Sequence, residues 1–205
     1  MMRVKTILAV AAIALSTALA GCTTGGTLFS SDYSARKDLG YQLPAIPIGQ
    51  VPQKYHRQIV RYDSKEAPGT IIVDTREKFL YYTLADGKAV RYGIGVGREG
   101  FEWKGTTRVA MKREWPTWTP PAPMIRRQPE LKKWAGGMPG GLTNPLGARA
   151  MYLYFKSGDS GYRLHGTPEW KSIGRAMSSG CIRLMNQDVI DLYERVKVGA
   201  KVIVK

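Results

Sequence analysis

Cysteine and histidine are both scarce in this chain, which has two of each among 205 residues. The histidines, His56 and His165, stand far apart in the sequence. Zinc sites use three or four Cys, His or carboxylate ligands, often closely spaced, and no such set is recognisable here. We therefore expect no metal and no cofactor, and a metal-dependent hydrolase is disfavoured.

Negative charge is scarce as well. The chain has 16 acidic and 31 basic residues, a net charge of +15 and a sequence pI of about 9.9. Such a balance favours contact with polyanions, which include nucleic acid, anionic lipid and the acidic polymer of a cell wall. Charge alone does not choose among these three partners.

A long apolar run is also lacking, and the beginning of the chain instead has the features of a secretory signal over residues 1–21. Arg3 and Lys5 precede a short apolar core at 7–15, well under the roughly 20 residues that span a bilayer. The following Leu-Ala-Gly-Cys, which ends at Cys22, resembles a bacterial lipobox, whose cysteine carries the lipid. An ordinary signal peptide cleaved nearby is the alternative. Loss of the two leader charges would leave the mature chain at +13.

This leader predicts the compartment of the mature protein. Thr23 stands where an inner-membrane lipoprotein typically has aspartate, so we expect an envelope protein anchored by lipid to the outer membrane and facing the periplasm. That location argues against nucleic acid as a partner. With Cys22 acylated, Cys181 is the single free thiol, which is unusual in an oxidising compartment unless the thiol does chemistry.

Residues 22–67 are predicted to be the lipidated N-terminus and a tether. Several prolines interrupt this stretch and no periodic apolar pattern is present, apart from one short helix or strand near 55–61. His56 lies there among basic residues and is predicted to be solvated.

From residue 68 onward the pattern is that of a mainly β protein. Runs of β-branched and aromatic residues predict strands at 70–74, 79–84, 89–96, 106–112, 150–155 and 162–165. Asp86-Gly87 is typical of a hairpin turn between the second and third of them. Closely spaced short strands favour a β-sandwich or a barrel over alternating strands and helices.

Two further segments complete the predicted domain. The stretch at 113–149 is rich in proline, glycine and tryptophan, which predicts either a lid loop or a rigid crossover packed by its tryptophans. Asn186 is a plausible helix N-cap. Four apolar residues then recur at helical spacing: Val189, Leu192, Tyr193 and Val196. Gly199 ends this helix, and 200–204 reads as a closing strand.

Cys181 and His165 are the candidate catalytic pair. A free thiol has a pKa of about 8.5 and becomes a nucleophile as the thiolate, which an adjacent imidazole can generate. Gly166 follows the histidine and Gly180 precedes the cysteine, where a tight turn can aim backbone N–H groups at an oxyanion. The alternative is that both side chains are ordinary buried residues. Their polar, glycine-containing surroundings favour catalysis.

The motifs around this pair resemble one known family. His165-Gly-Thr followed by Ser178-x-Gly-Cys-Ile-Arg-Leu184 is similar to the signature of the L,D-transpeptidase (YkuD-type) catalytic domain. The resemblance covers residues 68–205 and includes four further stretches: Gly69-Thr-Ile-Ile-Val-Asp74, Tyr92-Gly-Ile-Gly-Val-Gly97, Thr117-Trp-Thr-Pro-Pro121 and Asn144-Pro-Leu-Gly-Ala-Arg149. It implies a mixed β-sandwich with one or two short helices and a long Pro/Gly/Trp-rich lid loop.

The resemblance also implies roles for the site residues. Cys181 is the nucleophile, His165 is its base, and the main-chain carbonyl of Gly166 orients the imidazole. Backbone N–H groups around Gly180 form the oxyanion hole. Ser178 matches the Ser/Thr of the motif, and Arg183 matches an Arg that shapes the site and attracts the carboxylates of the donor.

The chain departs from the motif at one position. Many members have a second histidine where this chain has Ser179, so the base has to be His165.

The implied reaction is acyl exchange on peptidoglycan stem peptides. Cys181 attacks the bond between the diamino acid and D-Ala of a tetrapeptide, and an amine then resolves the thioester. The acceptor is a second stem peptide, giving a 3→3 cross-link, or an outer-membrane protein or lipoprotein. Alternatives are an L,D-carboxypeptidase or L,D-endopeptidase that uses water, and a non-catalytic peptidoglycan-binding lipoprotein. A papain-like hydrolase is disfavoured because its cysteine precedes its histidine along the chain.

Overall fold

Short runs of β-branched and aromatic residues form the strands, as the sequence predicts. The computed structural model describes residues 32–98, 103–178 and 180–205, so the predicted signal peptide, Cys22 and Ser179 lie outside the described residues. The strands are β1 (Arg36–Asp38), β2 (Tyr41–Leu43), β3 (Gln58–Arg61), β4 (Ile71–Asp74), β5 (Phe79–Thr83), β6 (Lys88–Gly93), β7 (Val96–Gly97), β8 (Gly105–Glu114), β9 (Arg149–Phe155), β10 (Gly158–Thr167), β11 (Ala176–Ser178), β12 (Ile182–Met185) and β13 (Lys201–Val204). The α-helices are α1 (Ala122–Arg127) and α2 (Asn186–Arg195). The 3₁₀ turns are Ile48–Gln50, Gln53–Tyr55, Pro129–Trp134 and Trp170–Ser172.

Nine strands form one mixed sheet in the order β12-β10-β9-β8-β13-β4-β5-β6-β3. The β10–β12 and β13–β4 pairs are parallel, and the remaining neighbours are antiparallel. The sheet curls on itself, because Gly95, just after β6, exchanges two backbone hydrogen bonds of 2.9 and 2.8 Å with Arg183 on β12. The mainly β fold with few helices is confirmed.

The main core lies inside this curled sheet. Its members come from strands across the sheet, for example Ile71 on β4 near the middle and Leu184 on β12 at one edge, and all are almost fully buried. Helix α2 covers it with Val189 and Leu192. Burial of such side chains stabilises the fold by roughly 1.5–3 kcal/mol each. The core therefore holds β12, which follows the candidate nucleophile Cys181, against the rest of the sheet.

The tether prediction is wrong for residues 32–67, which pack against the domain. The hairpin β1–β2 places Leu43 against Trp115 and Ala148, and the ring of Trp115 stacks on Tyr41 at 4.1 Å. The predicted short piece near 55–61 is present as β3, which forms the edge of the large sheet. Prolines in this segment lie at the starts of turns and do not prevent packing. Several of the apolar residues between them are buried.

His56 is half-buried rather than solvated. Its Nε2 lies 2.8 Å from the carbonyl oxygen of Val51, within the turn that precedes β3. The prediction of a free surface residue is corrected, and His56 has a structural role in this turn.

The segment at 113–149 has more structure than a loop. It contains α1 and the 3₁₀ turn Pro129–Trp134, and Trp118 exchanges two backbone hydrogen bonds of 2.9 and 2.7 Å with Met138. The buried Trp115 supports the packed-crossover interpretation, whereas opening and closing as a lid stays a prediction.

Helix α2 begins at Asn186, with Met185 at the N-cap position, and ends before Val196. The predicted helix is confirmed with its N-cap one residue from the predicted position, whereas it ends at Arg195, ahead of the predicted end at Gly199. Strand β13 follows and lies in the middle of the sheet. Over the described ranges, no helix is long and apolar enough to cross a membrane.

Candidate active site

The parallel pairing of β10 with β12 brings the candidate residues to one place. His165 is the partner of Arg183, and Leu164 is the partner of Ile182. Cys181 comes just before β12, so continuing the register sets it opposite Arg163. Side chains alternate between the two faces of a sheet, and paired residues share a face. Cys181 and His165 therefore lie on one face, while Leu164 and Ile182 point into the main core.

His165 is held in the tautomer that a general base requires. Its side chain is buried, and its Nδ1 lies 2.6 Å from the carbonyl oxygen of Gly166. A carbonyl only accepts hydrogen bonds, so Nδ1 carries the proton and Nε2 is left as the proton acceptor. Burial, helped by the charges of Arg183 and Arg163 and opposed by the Gly166 bond, lowers the pKa of His165 to about 4. The imidazole is neutral at pH 7 and ready to accept a proton.

Cys181 is half-buried and has no disulfide partner among the residues that the structure describes. Burial raises the pKa of its thiol, while the backbone N–H of Arg163 and the charges of Arg163 and Arg183 act in the opposite direction. A neutral thiol and a neutral imidazole on the same face of the sheet are therefore the resting state. The thiolate forms when the imidazole takes the proton during attack, as general-base activation requires.

Ser178 and Gly180 shape the turn that carries the nucleophile. The hydroxyl of Ser178 donates to the carbonyl oxygen of Cys181 at 2.6 Å and accepts from the N–H of Gly180 at 3.2 Å. Gly180 has a φ of +108°, a backbone conformation that residues other than glycine rarely adopt. Ser178 is buried, so it acts as a support for the turn.

Two arginines act on the candidate nucleophile. Arg163 and Arg183 are the cations that influence the Cys181 thiol, and Arg183 also pairs with Glu169 at 3.0 Å. Arg175 is exposed, and its backbone carbonyl accepts a hydrogen bond from Val96 on β7.

Gly166 is required by packing as well as by its carbonyl. A Cβ atom at this position would lie 2.3 Å from the Oδ1 of Asn186 and 2.9 Å from Val189. A Cβ at Gly147 would meet the same oxygen at 2.2 Å. That oxygen accepts the N–H of Ala148 at 2.9 Å, so helix α2, β10 and the chain before β9 meet at one crowded point.

Asn144 holds the long crossover in place, a role that no single motif in the sequence predicts. Its side chain is fully buried, and its Nδ2 lies 2.9–3.1 Å from the carbonyl oxygens of Pro116, Met138 and Pro139. Its Oδ1 accepts the N–H of Leu146. A buried amide commonly satisfies backbone groups that a loop leaves open, and an asparagine between proline-rich and glycine-rich stretches was the available signal.

The arrangement supplies a thiol, a neutral base with a fixed tautomer, and nearby cations. These are the components of nucleophilic acyl transfer through a thioester. Across the described part of the chain, no group of three or more His, Cys, Asp or Glu side chains is placed to hold a metal ion.

Comparison with known proteins decides the family. The profile of the YkuD family, the L,D-transpeptidase catalytic domain, matches residues 68–204. The chain belongs to this family. The match contains every candidate residue of the Cys–His site and begins where the sequence changes from proline-rich to strand-forming.

Two curated proteins from Escherichia coli resemble the chain. It is 37% identical over 139 residues to the probable L,D-transpeptidase ErfK/SrfK of Escherichia coli K12, covering 64% of this chain and 42% of that protein. It is 31% identical over 162 residues to the probable L,D-transpeptidase YbiS of the same strain, covering 77% of this chain and 50% of that protein. The chain thus spans about half the length of these curated relatives.

Solved structures agree on the fold. A Brucella melitensis protein described as a probable carnitine operon oxidoreductase has a TM-score of 0.53 and 42% identity, covering 78% of this chain and 99% of that one. An Enterococcus faecium L,D-transpeptidase C442S mutant has a TM-score of 0.50 and 18% identity, covering 68% and 50% of the two chains. The second similarity bears on the fold alone.

Proposed function

We propose that this protein is a peptidoglycan L,D-transpeptidase in which Cys181 is the nucleophile and His165 the base. The sulfur attacks the carbonyl between the diamino acid and D-Ala of a stem tetrapeptide, while Nε2 of His165 takes the thiol proton. That proton passes to the leaving nitrogen as D-Ala departs, leaving a thioester on Cys181. An acceptor amine attacks the thioester, forms the new amide and restores the thiol.

One observation carries this proposal: the imidazole of His165 is fixed by the Gly166 carbonyl on the same sheet face as Cys181, in a member of this family. The tautomer matters because only an unprotonated Nε2 can accept the thiol proton. Before the attack, Nε2 of His165 is unprotonated at neutral pH, since burial lowers the pKa of His165 to about 4. A second histidine is not needed for this role.

Backbone N–H groups near Cys181 are proposed to stabilise the oxyanion. The N–H of Gly180 donates to Ser178, so its hydrogen bond would have to be shared with the oxyanion or exchanged for it. The N–H of Cys181 lies in the same turn and is the second proposed donor. An oxyanion-hole donor typically contributes roughly 3–4 kcal/mol to transition-state stabilisation.

The donor is proposed to be recognised in part by charge. Stem peptides carry free carboxylates, and Arg183 projects from the sheet face that also bears Cys181. Its partner Glu169 is largely exposed, and exposed ion pairs are weak enough to be exchanged for a ligand carboxylate.

The cellular setting is also proposed from the sequence. The lipobox-like motif supports a lipid anchor on Cys22 and a position at the outer membrane facing the periplasm, where peptidoglycan is accessible. An outer-membrane protein or lipoprotein would then be within reach as an acyl acceptor, besides a second stem peptide.

The function is tested by incubating the purified protein with disaccharide-tetrapeptide and identifying the products by mass spectrometry. We expect a 3→3 cross-linked dimer from the wild type and none from Cys181→Ala. A tripeptide as the main product would indicate a carboxypeptidase. Binding without conversion would indicate a wall-binding lipoprotein and contradict the proposal.

A carbapenem gives an independent check on the nucleophile, since members of this family are typically acylated by these compounds. A covalent adduct is expected on the peptide that contains Cys181. An adduct that persists in Cys181→Ala would show that the nucleophile has been assigned wrongly.

A further inference from the structure

An ion pair lies beside the nucleophile and has no part in the mechanism above. The guanidinium of Arg163 binds both carboxylate oxygens of Asp159, with distances of 2.7 Å to Oδ1 and 2.8 Å to Oδ2. Such two-point pairs fix both the position and the plane of the guanidinium. Both residues are on β10, the strand that carries His165.

Further contacts hold this arginine in place. Its guanidinium lies 4.3 Å from the centre of the Tyr152 ring on the neighbouring strand, and it also donates to the carbonyl oxygen of Tyr162 at 2.9 Å. The register between β9 and β10 shifts between Asp159 and Arg163. This irregularity brings the two side chains together, although they are four positions apart on a strand. The cation is therefore fixed, with 18% of its side chain exposed.

Arg163 and Asp159 act on Cys181 in opposite directions. The backbone N–H of Arg163 and its positive charge both favour the thiolate, whereas the negative charge of Asp159 disfavours it. The carboxylate is ionised at neutral pH, because the hydrogen bonds from Arg163 and the N–H of Gly161 lower the pKa of Asp159. Arg163 also lies opposite Cys181 when the β10–β12 register is continued by one residue.

We propose that Arg163 and Asp159 are positioning residues that tune the nucleophile as an opposed pair: the cation promotes the thiolate, and the carboxylate holds the cation while restraining its effect. This inference rests on the proposed function, because it assumes that Cys181 is the nucleophile. It adds two residues outside the motif that carries the family resemblance. Neither residue is required to touch the substrate.

The test measures the thiol directly. Each variant of the full chain is treated with iodoacetamide at low salt between pH 5 and pH 10, and alkylation of the Cys181 peptide is followed by mass spectrometry. Arg163→Gln keeps the backbone N–H and removes the cation, so alkylation at pH 7 should slow roughly threefold to tenfold. Asp159→Asn keeps the cation and removes the opposing charge, so alkylation should accelerate about twofold or more.

The decisive feature is that the two variants should change the alkylation rate of Cys181 in opposite directions. Simple loosening of the strand would move both variants in the same direction, and that result would overturn the proposal, as would two unchanged profiles. Arg163→Lys should lie between wild type and Arg163→Gln. Glu66→Gln is a matched control, because it breaks a different ion pair, to Lys201 at 2.7 Å, and should leave the profile unchanged.

Failure of the proposed function would be recognised separately. Alkylation reports the thiol whether or not the protein transfers acyl groups. Opposite shifts in a protein that makes no cross-linked product would sustain the tuning by Arg163 and Asp159 and reject the transpeptidase activity.

Discussion

At the scale of single residues, the orientation of His165 depends on a main-chain carbonyl. A main-chain carbonyl does not titrate over the working pH range, and a substitution at its residue does not remove it. The Gly166 carbonyl therefore fixes the tautomer of His165 at every working pH. The position must stay glycine for a different reason, since a Cβ would collide with Asn186. One residue thus meets both an electronic and a packing requirement.

Ser178 is predicted to be essential for the geometry of the nucleophile turn. Ser178→Ala removes the hydroxyl that bonds the Cys181 carbonyl and the Gly180 N–H, and loss of such a buried partner costs about 1–3 kcal/mol. We expect the rate of cross-linking to fall at least roughly tenfold, since 1.4 kcal/mol in the barrier is a factor of ten. Steady-state turnover of the tetrapeptide is the measurement.

Ser178→Thr is the control for this prediction, because it keeps the hydroxyl. The Ser178→Thr variant should turn over the tetrapeptide at nearly the wild-type rate, provided that its additional methyl group fits into the turn. Equal activity in the alanine variant and the wild type would show that the turn holds without the serine.

At the scale of elements, the first turn of α2 connects three parts of the molecule. Asn186 binds the N–H of Ala148, Gln187 binds the carbonyl of Pro44 at 2.9 Å, and Asp188 accepts from Tyr33 at 3.4 Å. These three residues of α2 are all buried. Arg57 lies 3.6 Å from Asp188 and donates to the Gln187 carbonyl at 3.2 Å. The helix start thus joins the N-terminal segment to the strands that carry the site.

Asp188 gives this junction a predictable pH dependence. Burial, partly offset by Arg57, raises the pKa of Asp188 to about 7 from an ordinary value of 3.8. An acid whose folded-state pKa is raised stabilises the fold fully below its unfolded pKa and loses that stabilisation as pH rises through the folded value. Between pH 5 and pH 8, the wild type should lose on the order of 1 kcal/mol more unfolding free energy than Asp188→Asn.

Chemical denaturation of both proteins at pH 5 and pH 8 measures this difference. Asparagine keeps the shape of the side chain and has no charge to lose, so other titrating groups cancel in the comparison. A wild type that gains stability at pH 8 relative to the variant would mean that the Arg57 pair outweighs burial.

Local patterns predicted the strands and α2 because each depends on neighbouring residues. The hairpin at Asp86-Gly87 and the α2 apolar stripe are set by backbone and packing preferences that a short sequence window contains. The N-terminal segment was misjudged because its apolar residues have no period. Leu43 and Tyr55 are buried by partners far along the chain, such as Trp115 and Phe79.

The sequence likewise predicts only part of the candidate site. The motif identified Cys181 and His165, whereas Asp159 became significant only when the β9–β10 irregularity set it beside Arg163. A register shift of this kind leaves no signal in composition or periodicity, so only the pairing of the strands could show it.

At the scale of the whole molecule, residues 32–61 belong to the folding unit although the family match begins at residue 68. Tyr55 fills the space over Gly174, where a Cβ would lie 2.4 Å from its ring, and packs with Ile173 and Met185 in a second apolar cluster. The chain between His165 and Cys181 passes through this cluster. The N-terminal segment therefore supports the loop that connects the two proposed catalytic residues.

Removing residues 1–67 is accordingly predicted to damage the fold and the activity together. The shortened chain would expose Ile173 and Met185, and would lose the 2.8 Å pair between Asp38 and the buried Arg149. Leaving a buried charge unpaired costs roughly 3–5 kcal/mol, a large share of the stability of an ordinary domain. A chain that begins at Asp32 keeps all of these contacts and is the matched control. The measurements are thermal unfolding and tetrapeptide turnover of the two chains. Equal melting temperatures and rates would show that the family domain folds and acts without the N-terminal segment. We expect instead that the shorter chain has a lower melting temperature or no unfolding transition.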